Sequence, residues 1–551
     1  MPKLSAIELE NFQTISEHTV IPIRNLTLMF GPNGAGKSSI FDALELLKLL
    51  FSDDWGSNGS AISDLLNRWA RKENSEEIGT ETSIGVQFLF EEDWMIDHID
   101  YEKLTPLKNI YYSSIGKEKD CDDVFNNRNL RFFIKFKKIS SIFSEWKIWD
   151  LTLESEGGKI IQLSTSHDGE KVYRNLDIHD AEWLNLLPIK NNKHLFKNIL
   201  DMGTYFRLQI GFSDELNPNY WFDLDPFMHH DEQPAIDHLI STSQQVINFF
   251  GLILNTHFFT TDSKDLPLVK ASRTVPSRGD VISLIPGRNT NKGDKYRRGQ
   301  TIDSTITLQT LDKLLNKQQP HWIFLCEALA DITMHPPKEL IEEDWFKWDA
   351  ISKINHMLRE DLFIENGYQL CGEILCLPHL WEIADDDIED QRYYAKIVRL
   401  YLKDQQQRSV EIEDVGSGIG YVLPVLASLA QNGRPMIQQP ELHLHPALQS
   451  NLGDAIVRSV ENHKYHDEFC IIETHSEHIL LRIMKLLRNS ASRKDNVVTP
   501  LTFENISILY FDPQPNGSTK VKRLRLSPDG QLIDRWPGGF FNERLKDIFD
   551  E

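Results

Sequence analysis

Apolar positions repeat with strand and helix periods at both ends of the chain and are interrupted more often between them. Residues 4–10 and 26–30 are short runs rich in apolar and β-branched side chains, which predicts strands. The second run leads into a glycine-rich turn and then into residues 37–51. There Ile40, Leu44, Leu47 and Phe51 recur at helical spacing. Near the other end, residues 421–430 have helical apolar spacing, while 435–438 and 469–473 read as short buried strands ending in polar residues. In the middle, 82–91, 131–138, 146–154 and 159–163 read as strands. Residues 182–200, 236–250, 306–315 and 339–358 read as helices. Pro226, Pro234, Pro267, Pro276, Pro286, Pro320 and Pro336 break this stretch, so the long heptad runs of a coiled-coil arm are not expected. Residues 286–300 are polar and rich in breakers, the pattern of a mobile loop.

Composition narrows the class. The 551 residues are 40% hydrophobic and 26% charged, within the globular range, with a net charge of −23. So acidic a surface does not coat nucleic acid, and any such contact needs a local basic patch. One exists: between Lys270 and Arg298, eight basic residues face two acidic ones. Its bland alternative is a solvated loop. Five cysteines, without a CxxC pair or a signal-peptide pattern, point to a reducing cytoplasm. No apolar run approaches the ~20 residues needed to cross a bilayer, so no membrane contact is expected.

The chemistry lies in four segments. Residues 31–39 spell GPNGAGKSS, the pattern GxxxxGK[ST] between a predicted strand and helix. Glycines let successive N–H groups turn inward toward phosphate at a helix N-terminus, whose dipole favours anions. Asn33, Gly34, Ala35, Gly36, Lys37, Ser38 and Ser39 are therefore candidate ATP contacts. Lys37 would neutralise the β- and γ-phosphates, and Ser38 would hold Mg2+ through its hydroxyl. Gly416, Ser417 and Gly418 open the helix at 421–430 and could present N–H groups to phosphate, though a plain N-cap has the same appearance. The two remaining segments, Gln438-Gln439-Pro440-Glu441 through Pro446 and Glu473-Thr474-His475-Ser476, each follow a short apolar strand. Three polar edges in this order suggest a site on the carboxyl ends of one sheet.

This set resembles the ABC-type ATPase heads of the RecF, SMC and OLD superfamily, and within it the PtuA ATPase subunits of Septu systems and Septu-type retrons. The resemblance implies an α/β P-loop head assembled from both chain ends, with a largely helical central insertion. Residues 1–165 would form its N-terminal half, 166–390 the insertion and 391–551 the C-terminal half. It makes 31–39 the Walker A segment, 415–418 the signature turn, Gln438 and Gln439 the Walker B positions, Glu441–Pro446 the D-loop and His475 the switch histidine. The tail 534–543 and the segment 271–278 resemble further elements of the same branch.

One departure bears on catalysis. Gln438 stands where the family has a carboxylate that orders Mg2+, and an amide cannot supply that charge. Gln439 occupies the general-base position, where an amide orients water without taking its proton. Slow ATP hydrolysis is the expectation, either in a natural poorly hydrolysing switch or through an engineered Glu-to-Gln change. Glu441 is the nearby carboxylate placed to substitute as base. His443, His445, His475 and His478 have spacings that could suggest zinc, but all fall within the ATPase segments.

The family's working mode implies a head-to-head dimer or larger homo-oligomer with ATP between heads. It also implies a separate HNH nuclease subunit (PtuB-like) in antiphage defence and, in a retron, a reverse transcriptase with its RNA–DNA hybrid. The chain shows no nuclease centre of its own. The competing reading is a RecF-like repair ATPase that binds DNA directly.

Overall fold

A computed structural model describes residues 3–50, 55–71, 81–89, 129–138, 146–155, 158–168, 171–178, 206–212, 268–273, 275, 282–284, 320–334, 342–375, 396–431, 433–461, 468–492, 501–528, 530–537 and 541. The chain opens with β1 (Lys3–Glu10), β2 (Thr19–Pro22), β3 (Leu26–Phe30), α1 (Ser39–Leu50) and α2 (Trp55–Trp69). There follow β4 (Glu81–Leu89), β5 (Asn129–Lys138), β6 (Trp146–Ser155), β7 (Gly158–Asp168), β8 (Lys171–Ile178) and β9 (Phe206–Phe212). The central stretch contributes β10 (Ile282–Leu284), α3 (Pro320–Met334), α4 (Glu342–His356), β11 (Gln369–Leu375), β12 (Lys396–Lys403) and β13 (Ser409–Glu411). The C-terminal part holds α5 (Ser417–Ala430), β14 (Met436–Gln438), α6 (Pro446–Glu461), β15 (Cys470–Glu473), α7 (Glu477–Ser492), β16 (Ile506–Pro513) and β17 (Thr519–Leu524).

The site is organised by a five-stranded sheet in the order β14-β15-β3-β16-β17. Every pairing in it is parallel except β16 with β17. All five residues of β3 are buried, as a strand covered on both faces requires. Because β3 comes from the N-terminal end and its neighbours from the C-terminal end, the sheet closes only when both ends of the chain meet. The α/β head assembled from both ends is thus what the topology shows. The aromatic tail packs against it: the Trp536 and Phe541 rings lie edge-on to Phe30, at 5.4 and 5.8 Å between centroids.

An eight-stranded antiparallel sheet, β2-β1-β4-β5-β6-β7-β8-β9, forms the second lobe. Leu130, Phe132, Ile134 and Phe136 of β5 alternate with more exposed positions, the period-two pattern of a strand with one covered face. The boundary expected at residue 165 falls inside β7, and the sheet runs on through β8 and β9 to Phe212. Alternation carries it there: Phe206, Leu208, Ile210 and Phe212 repeat every second residue along β9.

The helix expected at 339–358 is α4, which passes into a π-helical turn at Met357–Leu362. The helices expected at 182–200, 236–250 and 306–315, and the loop at 286–300, lie outside the described residues. In the described part of 166–390, β8, β9, β10 and β11 accompany α3 and α4. Among the described residues, no helix is long and apolar enough to cross a membrane.

Candidate functional site

The turn from β3 into α1 wraps around Lys37. This side chain is 3% exposed, and its Nζ donates to the carbonyl oxygens of Gly31 (3.0 Å) and Pro32 (2.9 Å). Burial holds its pKa below the usual lysine value against the pull of Glu473 and Glu441. Gly36 has φ +77°, and a Cβ there would come within 2.0 Å of the Thr14 hydroxyl, so only glycine lets the loop close against that segment. Asn33 and Gly34 are exposed at the tip and Ala35 is buried beneath them. Ser39 is turned inward: its hydroxyl donates to Gln13 Oε1 (2.8 Å), whose amide donates to Asp42 Oδ2 (2.6 Å). Ser38 is half-buried, and its carbonyl accepts the Asp42 N–H at 3.1 Å.

Strand register brings the C-terminal groups to this loop. Gln438 at the end of β14 lies opposite Glu473 at the end of β15, and Glu473 lies opposite Met29 of β3. Glu473 is 7% exposed, and its Oε1 lies 3.8 Å from Lys37 Nζ. Burial raises its pKa against the opposing influence of Lys37 and of a hydrogen bond from Gln438. Gln438 Oε1 accepts the Ala271 N–H at 3.2 Å. Gln439 is at φ 45°, held by its N–H on the Glu473 carbonyl at 2.7 Å.

Glu441 has both carboxylate oxygens engaged, one by the Thr474 hydroxyl (2.8 Å) and one by the His475 N–H (2.7 Å). Burial raises its pKa despite these bonds. Glu441, the carboxylate expected as a substitute base, ties the D-loop segment to the switch segment through these two bonds. Glu441→Ala leaves two donors unmatched, and a loss of about 2 kcal/mol in unfolding free energy is expected from a urea titration.

His475 carries a buried Nε2 with no partner. Burial, reinforced by Lys37, pulls its pKa down to about 4, so the ring is neutral at pH 7. Between the ordinary histidine value and about 4, the unfolded chain binds a proton that the folded chain refuses. Its contribution to stability is thus lost as pH falls through that window. The urea midpoint of the parent should drop more steeply from pH 7 to 4.5 than that of His475→Gln.

Gly416–Gly418 sit on the other side of the D-loop segment. A Cβ on Gly418 would lie 3.0 Å from the His443 carbonyl, and the Tyr421 and His443 rings pack at 4.3 Å between centroids. Gly416 is exposed at φ +88°, with open space around it. The structure thus gathers Lys37, Gln438, Gln439, Glu441 and His475 around the ends of β3, β14 and β15, and leaves Gly416 of the signature turn exposed. His445 Nδ1 accepts the Ala447 N–H at the start of α6. Among the described residues, no group of three or more His, Cys, Asp or Glu side chains is placed to hold a metal ion by itself.

Two residues of the site were not singled out from the sequence. Glu473 had a signal, an acidic residue closing an otherwise apolar strand. Arg273 had two, since it belongs both to the 271–278 segment of the resemblance and to the basic stretch considered for nucleic acid. It is 8% exposed, and its guanidinium donates to the carbonyls of Tyr421 (2.8 Å), Lys270 (3.3 Å), Gln438 (3.0 Å) and Gln439 (2.9 Å). Burial pulls its pKa down to about 10, so it remains a cation at neutral pH. It fastens the end of β14 and is closed to an outside ligand. The other arginines and lysines of that stretch, Lys270 apart, lie outside the described residues.

The orphaned His475 Nε2 and Glu473 Oε2, beside a buried lysine that donates to its own loop carbonyls and faces Glu473, fit a site built for a triphosphate and Mg2+. A family model described as an AAA ATPase domain matches residues 2–480, and one for a protein of unknown function (DUF3696) matches residues 501–550. The chromosome partition protein Smc of Gloeobacter violaceus is 40% identical over 70 residues, 12% of this chain and 6% of that protein. The match therefore spans a small part of the curated relative. The Smc head domain of Pyrococcus furiosus, solved with an extended coiled coil and bound to the C-terminal domain of ScpA, is 12% identical. That comparison covers 100% of this chain and 99% of the other, with a TM-score of 0.35. The SMC head domain from Thermotoga maritima is 10% identical over 95% of this chain and 100% of the other, with a TM-score of 0.33. At these scores the two structures add nothing to the topology described above.

Proposed function

The chain belongs to the AAA ATPase domain family, and on that premise we propose that it is an ATP-dependent oligomeric switch. The observation that carries this reading is the convergence of Lys37, Glu473 and His475, with two orphaned buried polar atoms, beside the 31–39 loop. Residues 33–39 would cradle the triphosphate. Lys37 would leave the Gly31 and Pro32 carbonyls for phosphate oxygens, and His475 would hydrogen-bond the terminal phosphate through Nε2. Ser38 would hold Mg2+ through its hydroxyl. When bound, that ion supplies neutralisation of charge on the phosphate oxygens.

Gln439 can orient water but cannot take its proton, and both oxygens of Glu441 are engaged, so hydrolysis should be slow. An exposed signature turn suits a site completed by a second copy, with nucleotide joining the two heads. The resemblance to PtuA supports a finer reading: a cytoplasmic antiphage complex in which the ATP state governs a separate HNH nuclease, with retron components as further partners.

Sedimentation of the full chain tests the switch. Mg2+ and ATP should double its mass. Ser417→Arg, which adds bulk and charge at the turn without replacing a positive-φ glycine, should still bind ATP but stay at the smaller mass. A mass unchanged by nucleotide would contradict the split site. Co-expression with the proteins encoded next to it should recover an HNH subunit. Tight, salt-sensitive DNA binding by the isolated chain would favour the repair reading instead.

A further inference from the structure

Mg2+ bound with a triphosphate is held by one or two protein carboxylates together with phosphate oxygens and water. The position expected to provide one, Gln438, is neutral, and its amide is already engaged. Oε1 accepts from Ala271 N, and the side chain also hydrogen-bonds Glu473. Of the neighbouring carboxylates, Glu441 is tied to Thr474 and His475, and Asp42 accepts from Gln13. Glu473 is different. It is buried beside Lys37 with Oε2 unpartnered, and it stands one strand over from Gln438, at the register position directly opposite.

Two carboxylates at these opposed positions would repel each other in a buried setting. One amide and one carboxylate keep a single negative charge there, carried by β15. We propose that Glu473 supplies the carboxylate for Mg2+–triphosphate in place of Gln438, an inference that rests on the ATP-binding reading above. The amide beside it then serves to orient that carboxylate, and the adjacent Lys37 carries the phosphate charge.

The test is the affinity of the full chain for a fluorescent ATP analogue, measured in EDTA and again in Mg2+. The parent should bind at least about tenfold more tightly with Mg2+. Glu473→Gln, which is isosteric and removes a negative charge facing the phosphates, should bind at least as tightly as the parent in EDTA but gain less than about twofold from Mg2+. The charge-swapped double variant, Gln438→Glu with Glu473→Gln, should regain the Mg2+ dependence. Full Mg2+ enhancement in Glu473→Gln would overturn the proposal. Should that variant not fold, the swapped protein decides: Mg2+ dependence supports the assignment, and its loss in a folded protein overturns it. A parent that binds equally with and without Mg2+ overturns this inference alone, whereas a parent that binds no triphosphate overturns the ATP reading as well.

Discussion

Lys37→Ala lowers the affinity for ATP by roughly two orders of magnitude, read by titration of a fluorescent analogue. The figure follows from losing more than one charge-assisted hydrogen bond, each worth about 1.5–3 kcal/mol, where 1.4 kcal/mol is tenfold. The nucleotide-free protein should unfold close to the parent's midpoint. Burial already disfavours the charged ammonium, which in that state faces two loop carbonyls and, at 3.8 Å, Glu473. A large drop in affinity with little change in stability is the signature of a ligand-directed lysine. A large drop in both would mark it as structural.

Arg273→Ala has the largest expected effect on stability, about 3 kcal/mol or more in a urea titration. The guanidinium donates to four carbonyls, that of nearby Lys270 and those of Tyr421, Gln438 and Gln439 from two distant segments, and its removal leaves several of them unmatched. Arg273→Lys should recover only part of this, because an ammonium cannot reproduce the planar fork. Since two of those carbonyls belong to Gln438 and Gln439, the Ala variant should also weaken nucleotide binding. A stability within about 0.5 kcal/mol of the parent, the range of ordinary surface changes, would show that Arg273 is not the fastener described.

The loop at 31–39 was legible in the sequence because its chemistry is local: glycines, a lysine and a helix start follow one another within nine residues. The apolar strands at 26–30, 435–438 and 469–473 were legible for the same reason. What joins them was not. Gln438, Glu473 and Met29 become neighbours through the order β14-β15-β3, and no run of adjacent residues encodes that order. Glu441 looked like a spare base until the Thr474 hydroxyl and His475 N–H, more than thirty residues away, were found on its oxygens. Arg273 looked like a surface cation because the Gln438, Gln439 and Tyr421 carbonyls that bury it arrive from well over a hundred residues downstream. In β8, the apolar alternation of Val172, Leu176 and Ile178 is interrupted by Arg174, which hid the continuation of the second lobe past residue 165.

A structure determined with Mg2+ and a non-hydrolysable ATP analogue tests the central claim most directly. The account predicts a triphosphate in the 31–39 loop, with Lys37 drawn off the Gly31 and Pro32 carbonyls onto phosphate. It also predicts Gly416–Gly418 of a second copy facing the terminal phosphate. A loop left empty at saturating nucleotide, or a bound triphosphate with no second copy closing over it, would contradict the account.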